Sequence, residues 1–345
     1  MEQRIVVTGG AGVLGSALTR ALVEAGDKVY TVDIREPAGL PPNVEHRTGD
    51  VRDPRLLGEV CAGADAVVHA ASALPSYPAR HIRSVIVDGT RTVLDAARRA
   101  GVPRVVYISS TSVYGLPDAL PTPEEHPLRP VDTYGRAKVR AEELCQGLRE
   151  TGVCVPVLRP KTFLGPGRMG LFAMLFEWAD EGHHFPVLGS GRVLTQMCAT
   201  ADVVTAVQAA LAAPESVAND TFNVAATDVT TLRDDFQAVL DAAGYGKRVI
   251  PVPARPAVLV LQALARLHLS PVYPRLAQKL LADSYVSVER IRQRLGWQPR
   301  FSGRQALLDT FEWWRTHRAG TAVRVGNAST DPWRQGALAL AKAFF

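Results

Sequence analysis

Along the first half of the chain, short apolar runs of strand length alternate with longer stretches whose apolar residues recur every three or four positions. Ile5–Thr8, Val29–Val32, Val44–Thr48, Ala66–Ala70, Arg104–Ile108 and Val153–Leu158 read as strands. Leu14, Ala17, Leu18, Ala21 and Leu22 share one helical face. Ile82–Ala100 and Tyr134–Leu148 carry the same period, with Gly101 and Gly152 close behind them as stops. Strands this short and apolar, spaced by helices, predict a parallel sheet buried on both faces and wound by right-handed crossovers, a doubly wound α/β fold. After Pro160 the pattern changes: Gly and Pro crowd Gly165–Gly170, and later segments are mostly helical. The expected organisation is a sheet domain over 1–164 with returns near 195–225, then a smaller, mostly helical substrate-binding region over 165–318. A tail, 319–345, either packs loosely or ends in a helix from about Trp333 to Phe345.

Composition narrows the class. The 345 residues (37.2 kDa) are 47% apolar and 21% charged, which excludes disorder, collagen and coiled coil. The net charge of +5 is spread along the chain, so no nucleic-acid or membrane-surface role is indicated. Cys61, Cys145, Cys154 and Cys198 form no CxxC and no metal-ligand cluster; they read as small buried hydrophobes in a reducing compartment. Met1–Arg4 runs straight into the first strand, so no signal peptide is expected. The longest apolar run, Ala257–Ala265, is broken by Gln262 and is too short to span a bilayer. The expectation is a cytoplasmic enzyme acting on a small molecule, without metal, nucleic acid or membrane.

Thr8-Gly9-Gly10-Ala11-Gly12-Val13-Leu14-Gly15 stands between the first strand and the first helix. There Gly9 permits a tight turn, Gly12 lets the backbone approach a pyrophosphate, and Gly15 lets the helix sit close to the sheet. The first helical N–H groups, from Val13 and Leu14, would face the phosphates. Asp33 ends the second strand 18 residues past Gly15. A carboxylate there takes the adenosine ribose hydroxyls and repels a 2′-phosphate, which favours NAD; Arg35, two residues on, could instead pair with such a phosphate. Asp50-Val51 and Ala70-Ala71 follow the third and fourth strands, at carboxyl ends where such sheets bind ligands. Asp50 could accept from the adenine amino group or be an ordinary turn aspartate.

Tyr134 and Lys138 lie at i and i+4, on one helical face. An ammonium beside a phenol favours the phenolate, which could take a hydroxyl proton while hydride leaves the carbinol carbon. Ser109-Ser110-Thr111-Ser112 follows the fifth strand at the same sheet edge, and one of these hydroxyls could hold the substrate oxygen.

In this order the motifs resemble the extended short-chain dehydrogenase/reductase family, also called the NAD-dependent epimerase/dehydratase family. The glycine loop carries the resemblance together with Gly49-Asp50-Val51, Val68-His69-Ala70-Ala71, Ser109–Gly115 and Tyr134–Lys138. Arg159-Pro160, Gly165-Pro166-Gly167, Asp202, Phe222-Asn223-Val224 and Leu295–Pro299 extend it over nearly the whole chain. The resemblance implies a Rossmann domain holding NAD through Gly9, Gly12, Val13, Leu14, Gly15, Asp33, Asp50, Val51, Ala70, Ala71, Tyr134, Lys138, Arg159 and Pro160. It makes Tyr134 the acid/base, Lys138 its activator and ribose ligand, and Ser110 the partner of the substrate hydroxyl, with Thr111 as the neighbouring alternative. It also implies a homodimer built by helices at about 82–100 and 134–150.

Departures narrow the chemistry. In the family's 4,6-dehydratases the catalytic hydroxyl residue is followed by Asp-Glu; Thr111 and Ser112 stand here, which argues against dehydration. Thr195 falls where many nucleotide-sugar members carry a diphosphate-binding arginine, a role Arg168 or Arg192 could fill, and Ile86 replaces a frequent asparagine. Val252–Leu269 resembles the 3β-hydroxysteroid dehydrogenase branch more than the sugar epimerases. The residues themselves favour a core-packing helix over a lipid-contacting lid. Trp313-Trp314 reads as packing and His183-His184 as solvated. Three readings stay open: a dehydrogenase of a secondary alcohol or its ketone, a nucleotide-sugar 4-epimerase with retained NAD, and a non-catalytic NAD sensor.

Overall fold

The computed structural model describes residues 2–37, 39–168, 172–266, 278–321 and 342, in two compact units. The first unit comprises 1–161, 200–225 and 286–300; the second comprises 162–199, 226–285 and 301–345.

The first unit is built on a seven-stranded parallel sheet of β1 (Arg4–Thr8), β2 (Lys28–Asp33), β3 (Glu45–Thr48), β4 (Ala66–His69), β5 (Arg104–Ile108), β6 (Val157–Pro160) and β7 (Thr221–Val224). Their spatial order is β7-β6-β5-β4-β1-β2-β3, with Val7 opposite Thr31 on one side and Val68 on the other. The strand order reverses between β1 and β4, and the crevice at such a switch point is where these sheets take ligands. The central strands are apolar on both faces because helices cover both. Ile5, Val6, Val7, Val67, Val68, Val105 and Val106 are all fully buried, each side chain contributing about 1.5–3 kcal/mol of hydrophobic stabilisation. Exposed β3 tolerates charges because it is the sheet edge.

The flanking helices are α1 (Val13–Glu24), α2 (Pro54–Cys61), α3 (Ala79–Arg83), α4 (Gly89–Arg99), α5 (Thr133–Arg149), α6 (Thr200–Ala212) and α7 (Glu289–Leu295). Three features depart from the sequence reading. Helix α2 was not anticipated from periodicity, although its start is well specified: Pro54 opens it and the Asp53 carboxylate accepts from the N–H of Arg55 and of Leu56. The stretch expected as one helix from Ile82 begins earlier and contains a π-helical segment, Ser84–Asp88, between α3 and α4. The strand expected from Val153 starts at Val157, because Pro156 has no N–H for the ladder; the carbonyls of Cys154 and Pro156 still accept from Val105 and Tyr107 of β5.

In the second unit, helices Phe172–Asp180, Leu232–Ala243 and Gly303–Thr321 enclose a core that includes Phe176, Trp178, Phe236, Leu307, Phe311 and Trp314. Phe185–Leu188 pairs in parallel with Val249–Val252 beside it. Trp314 packs as expected, and Trp313 stacks on His317. The core-packing reading of the next segment needs correction. Helix Ala254–Arg266 leaves Leu259 66% and Val260 57% exposed. Its Val258 and Leu259 line a shallow apolar groove with Ala254, Arg255 and Leu281. Leu267 and the anticipated helix over 333–345 lie outside the described residues, except Lys342, which donates to Glu177 and Glu181. All four cysteines are buried and free. Among the described residues no helix is long and apolar enough to cross a membrane.

Candidate active site

The glycine loop turns sharply where β1 meets α1. Gly9 has φ +77°, its N–H donates to the Val32 carbonyl (2.7 Å), and its carbonyl accepts from Gly12 N–H (3.0 Å). A Cβ on Gly9 would come within 2.8 Å of the Ala71 nitrogen, and one on Gly15 within 2.0 Å of the Gly9 carbonyl oxygen. At Gly12 the nearest atom to a Cβ would be that same oxygen, at 3.2 Å. Gly12 is the N-cap of α1, and no side chain caps the helix. The first-turn N–H groups at Val13 and Leu14 have no carbonyl within the helix, so the dipole end stays open to an anion.

Asp33 is buried at the end of β2. It accepts from Ala11 N–H (3.0 Å) with one carboxylate oxygen and from Arg35 N–H (3.0 Å) with the other. The Arg35 guanidinium folds back to the Ala11 carbonyl (3.3 Å). The acidic residue and the loop are thus one piece, and each carboxylate oxygen keeps a lone pair for a ribose hydroxyl. Asp50 is differently engaged. Arg52 grips both of its oxygens (2.8 and 2.5 Å), and these hydrogen bonds hold the carboxyl below its ordinary value. Val51 is buried toward Gly89.

Ala70 and Ala71 continue β4 and touch the loop through Thr8: Ala70 N–H donates to the Thr8 carbonyl (3.2 Å) and Ala71 N–H to Thr8 Oγ1 (3.3 Å). Behind them His69 is fully buried between Thr8 Oγ1 (2.7 Å to Nδ1) and Thr90 Oγ1 (3.0 Å to Nε2). Thr90 donates to the Ile86 carbonyl (2.5 Å), so it accepts from His69, and Nε2 carries the proton. Burial and the Lys138 charge push the imidazole down to about 3, so it is neutral and acts as a tie between β1, β4 and α4.

The second cluster forms where β5 ends against α5. Asp132 caps α5, accepting from Gly135 N–H (2.7 Å), which sets Tyr134 in the first turn. Tyr134 is half-buried and Lys138, one turn on, is buried. Lys138 Nζ donates to the Ile108 carbonyl (2.8 Å) and lies 5.9 Å from the Tyr134 ring centre and 4.9 Å from that of Tyr107. Burial pushes its ammonium down to about 8, opposed by Glu142 and Cys145. Ser110 caps the 3-10 turn Thr111–Tyr114; its oxygen accepts from Ser112 N–H (3.2 Å), leaving the hydroxyl proton available to a ligand oxygen.

A profile of the NAD dependent epimerase/dehydratase family matches residues 5–225. The chain belongs to the NAD-dependent epimerase/dehydratase family. It is 31% identical over 337 residues (97% of this chain, 84% of the other) to the uncharacterized protein y4nG of Sinorhizobium fredii. It is 28% identical over 334 residues (89% of each) to the 3β-hydroxysteroid dehydrogenase/Δ5→4-isomerase of Mycobacterium tuberculosis. Among solved structures, dTDP-glucose 4,6-dehydratase of Streptomyces venezuelae, with NAD and TYD bound, matches with a TM-score of 0.76 and 25% identity, covering 92% of this chain and 98% of that one.

Membership in this family makes the protein an enzyme whose cofactor is NAD. The cradle fits that group: the backbone is bare where a pyrophosphate would approach, the helix start is uncapped, and Asp33 is fixed beside it. All the residues expected to hold NAD lie in the first unit, at or just beyond strand carboxyl ends or at the helix starts that follow. Arg159 differs in kind, since its guanidinium points into a buried cluster with Glu142 and Tyr114, so it can offer a cofactor only its backbone. Asp202 and Asn223, marked by the family motifs, are buried ties: Asp202 accepts from Arg300 N–H (2.8 Å), and Asn223 accepts from the Tyr114 hydroxyl (2.8 Å). Sequence reasoning missed the roles of Thr8, His69, Thr90, Ser109 and Glu142. Thr8, His69 and Ser109 stand inside the quoted motifs without an assigned role, and the signal for Glu142 was its i+4 spacing from Lys138.

Proposed function

We propose that the protein is an NAD-dependent dehydrogenase interconverting a secondary alcohol and its ketone, with Tyr134 as acid/base, Lys138 as its activator and Ser110 as the holder of the substrate oxygen. The observation that carries this reading is the buried Lys138 ammonium lying 5.9 Å from the Tyr134 ring centre and anchored on the strand end that leads into Ser110. Bound NAD supplies the hydride acceptor or donor. Ser110 donates its free proton to the substrate oxygen and orients it. Tyr134 takes the proton from the alcohol or returns it to the forming alkoxide. Lys138 favours the phenolate by its charge. Water elimination is outside this repertoire, because Thr111 and Ser112 carry no carboxyl group.

The substrate is apolar or weakly polar on this reading. Support comes from the steroid-dehydrogenase relative, aligned over 89% of both chains. The likeness to a nucleotide-sugar enzyme favours a second reading, a 4-epimerase using the same three residues with retained NAD. Turnover separates them. Net NADH formation from added NAD and an alcohol supports the dehydrogenase. Tightly bound NAD(H) with no net reduction, and interconversion of sugar nucleotides, supports the epimerase.

A further inference from the structure

Directly beneath Ser110 lies a buried polar cluster that the proposed chemistry does not use. The Ser109 hydroxyl donates to Oε1 of Glu142. Arg159 grips both Glu142 oxygens, Nε at 3.0 and 3.2 Å and Nη2 at 2.6 Å. Its Nη1 donates to the Tyr114 hydroxyl (2.8 Å) and the Glu124 carbonyl (3.0 Å). The segment from Ser110 to Val113 is therefore strung between two hydroxyl anchors, Ser109 and Tyr114. Both are tied to Arg159, one of them through Glu142. Two more straps close the frame: Lys138 Nζ to the Ile108 carbonyl (2.8 Å) and Ser109 N–H to the Leu158 carbonyl (2.7 Å). Consecutive residues of the strand end, Ile108 and Ser109, are thus held by consecutive turns of α5.

Stability alone does not account for such a cluster, because a buried ion pair is often no better for stability than apolar residues of the same volume. Directional bonds add fixed geometry. We propose that Glu142, clamped by Ser109 and Arg159, is the positioning residue of this site, locking the strand end that carries Ser110 to the helix that carries Tyr134 and Lys138. The proposal rests on the reading of those three residues as the reacting groups. The groups facing Lys138 are Glu142 and Cys145 from α5, Tyr134 one turn before, and Tyr107 and neutral His69 from the strands. Glu142 is the carboxylate among them, so its loss lets burial drive Lys138 further toward the neutral amine.

The chain has six lysines, so NMR of protein labelled with carbon-13 at lysine Cε resolves Lys138, identified by the signal missing in Lys138→Met. In folded Glu142→Gln protein, the NAD-induced thermal shift is expected to persist. The Lys138 midpoint falls below the wild-type value of about 8. Turnover of any alcohol that reduces NAD drops about ten- to hundredfold, and Glu142→Asp recovers part of it. An unchanged midpoint and turnover in the folded variant would overturn the proposal. If Glu142→Gln does not fold, Glu142→Gln/Arg159→Met also removes the Arg159 charge that the single variant strands and is read the same way. Should wild-type Lys138 titrate at an ordinary lysine value, the reading of the site itself fails, and the proposal with it.

Discussion

At the residue scale, the site depends on groups held where water would not leave them. Lys138 titrates near 8 in the fold against 10.5 for a free lysine. Between those values the unfolded chain binds more protons than the folded one, so this residue's contribution to stability rises with pH across that window. Buried Cys61, Cys145 and Cys154, all pushed up, act in the opposite sense, so the expected result of chemical denaturation at neutral pH and again near the top of the window is a stability difference, wild type minus Lys138→Met, that rises with pH. Asp33→Ala is expected to weaken NAD binding and to shift the NAD/NADP affinity ratio toward NADP by about tenfold or more. It removes the repelling carboxylate and frees Arg35; an unchanged ratio would assign selectivity elsewhere. As candidates, Tyr134 and Lys138 stand out in the sequence by their spacing and Asp33 by its strand end, whereas Ser110 is singled out from its neighbouring hydroxyls only by the family resemblance. The roles of His69 and Glu142 were not legible, since their partners lie 61 and 33 residues away and only the fold brings them together.

At the element scale, the alternation of apolar runs and helical periods anticipated the first six strands of the sheet, and all of these but the exposed edge strand β3 are the buried apolar runs that a sheet covered on both faces requires. It missed α2, a helix of 8 residues whose identity lies in its cap rather than its period. It misplaced the start of β6, where Pro156 interrupts the donors. The π-helical insertion before α4 has no periodic signature. The close approach of α1 to β1 yields a sharp prediction. In Gly15→Ala the new Cβ meets the Gly9 carbonyl at 2.0 Å, so the loop must move. The variant should lose the NAD-induced thermal shift, whereas Gly12→Ala, with its nearest contact at 3.2 Å, should bind more weakly without losing it. Equal loss in both would point to a cause other than the steric contact at Gly15.

At the scale of the whole molecule, the first unit carries the NAD cradle and all three proposed reacting groups, assembled from segments as far apart as 1–161 and 286–300. The second unit contributes an apolar helix face and a separate aromatic core. The motifs for cofactor binding and acid/base chemistry lie in the first unit, which explains why the sequence indicates the chemistry more sharply than the molecule it acts on. Comparing Tyr134→Phe with wild type in NADH formation across a panel of secondary alcohols, with NAD affinity measured alongside, tests the central claim most directly. The account predicts a loss of about a hundredfold or more in rate with NAD affinity little changed. Full turnover by the phenylalanine variant would contradict it.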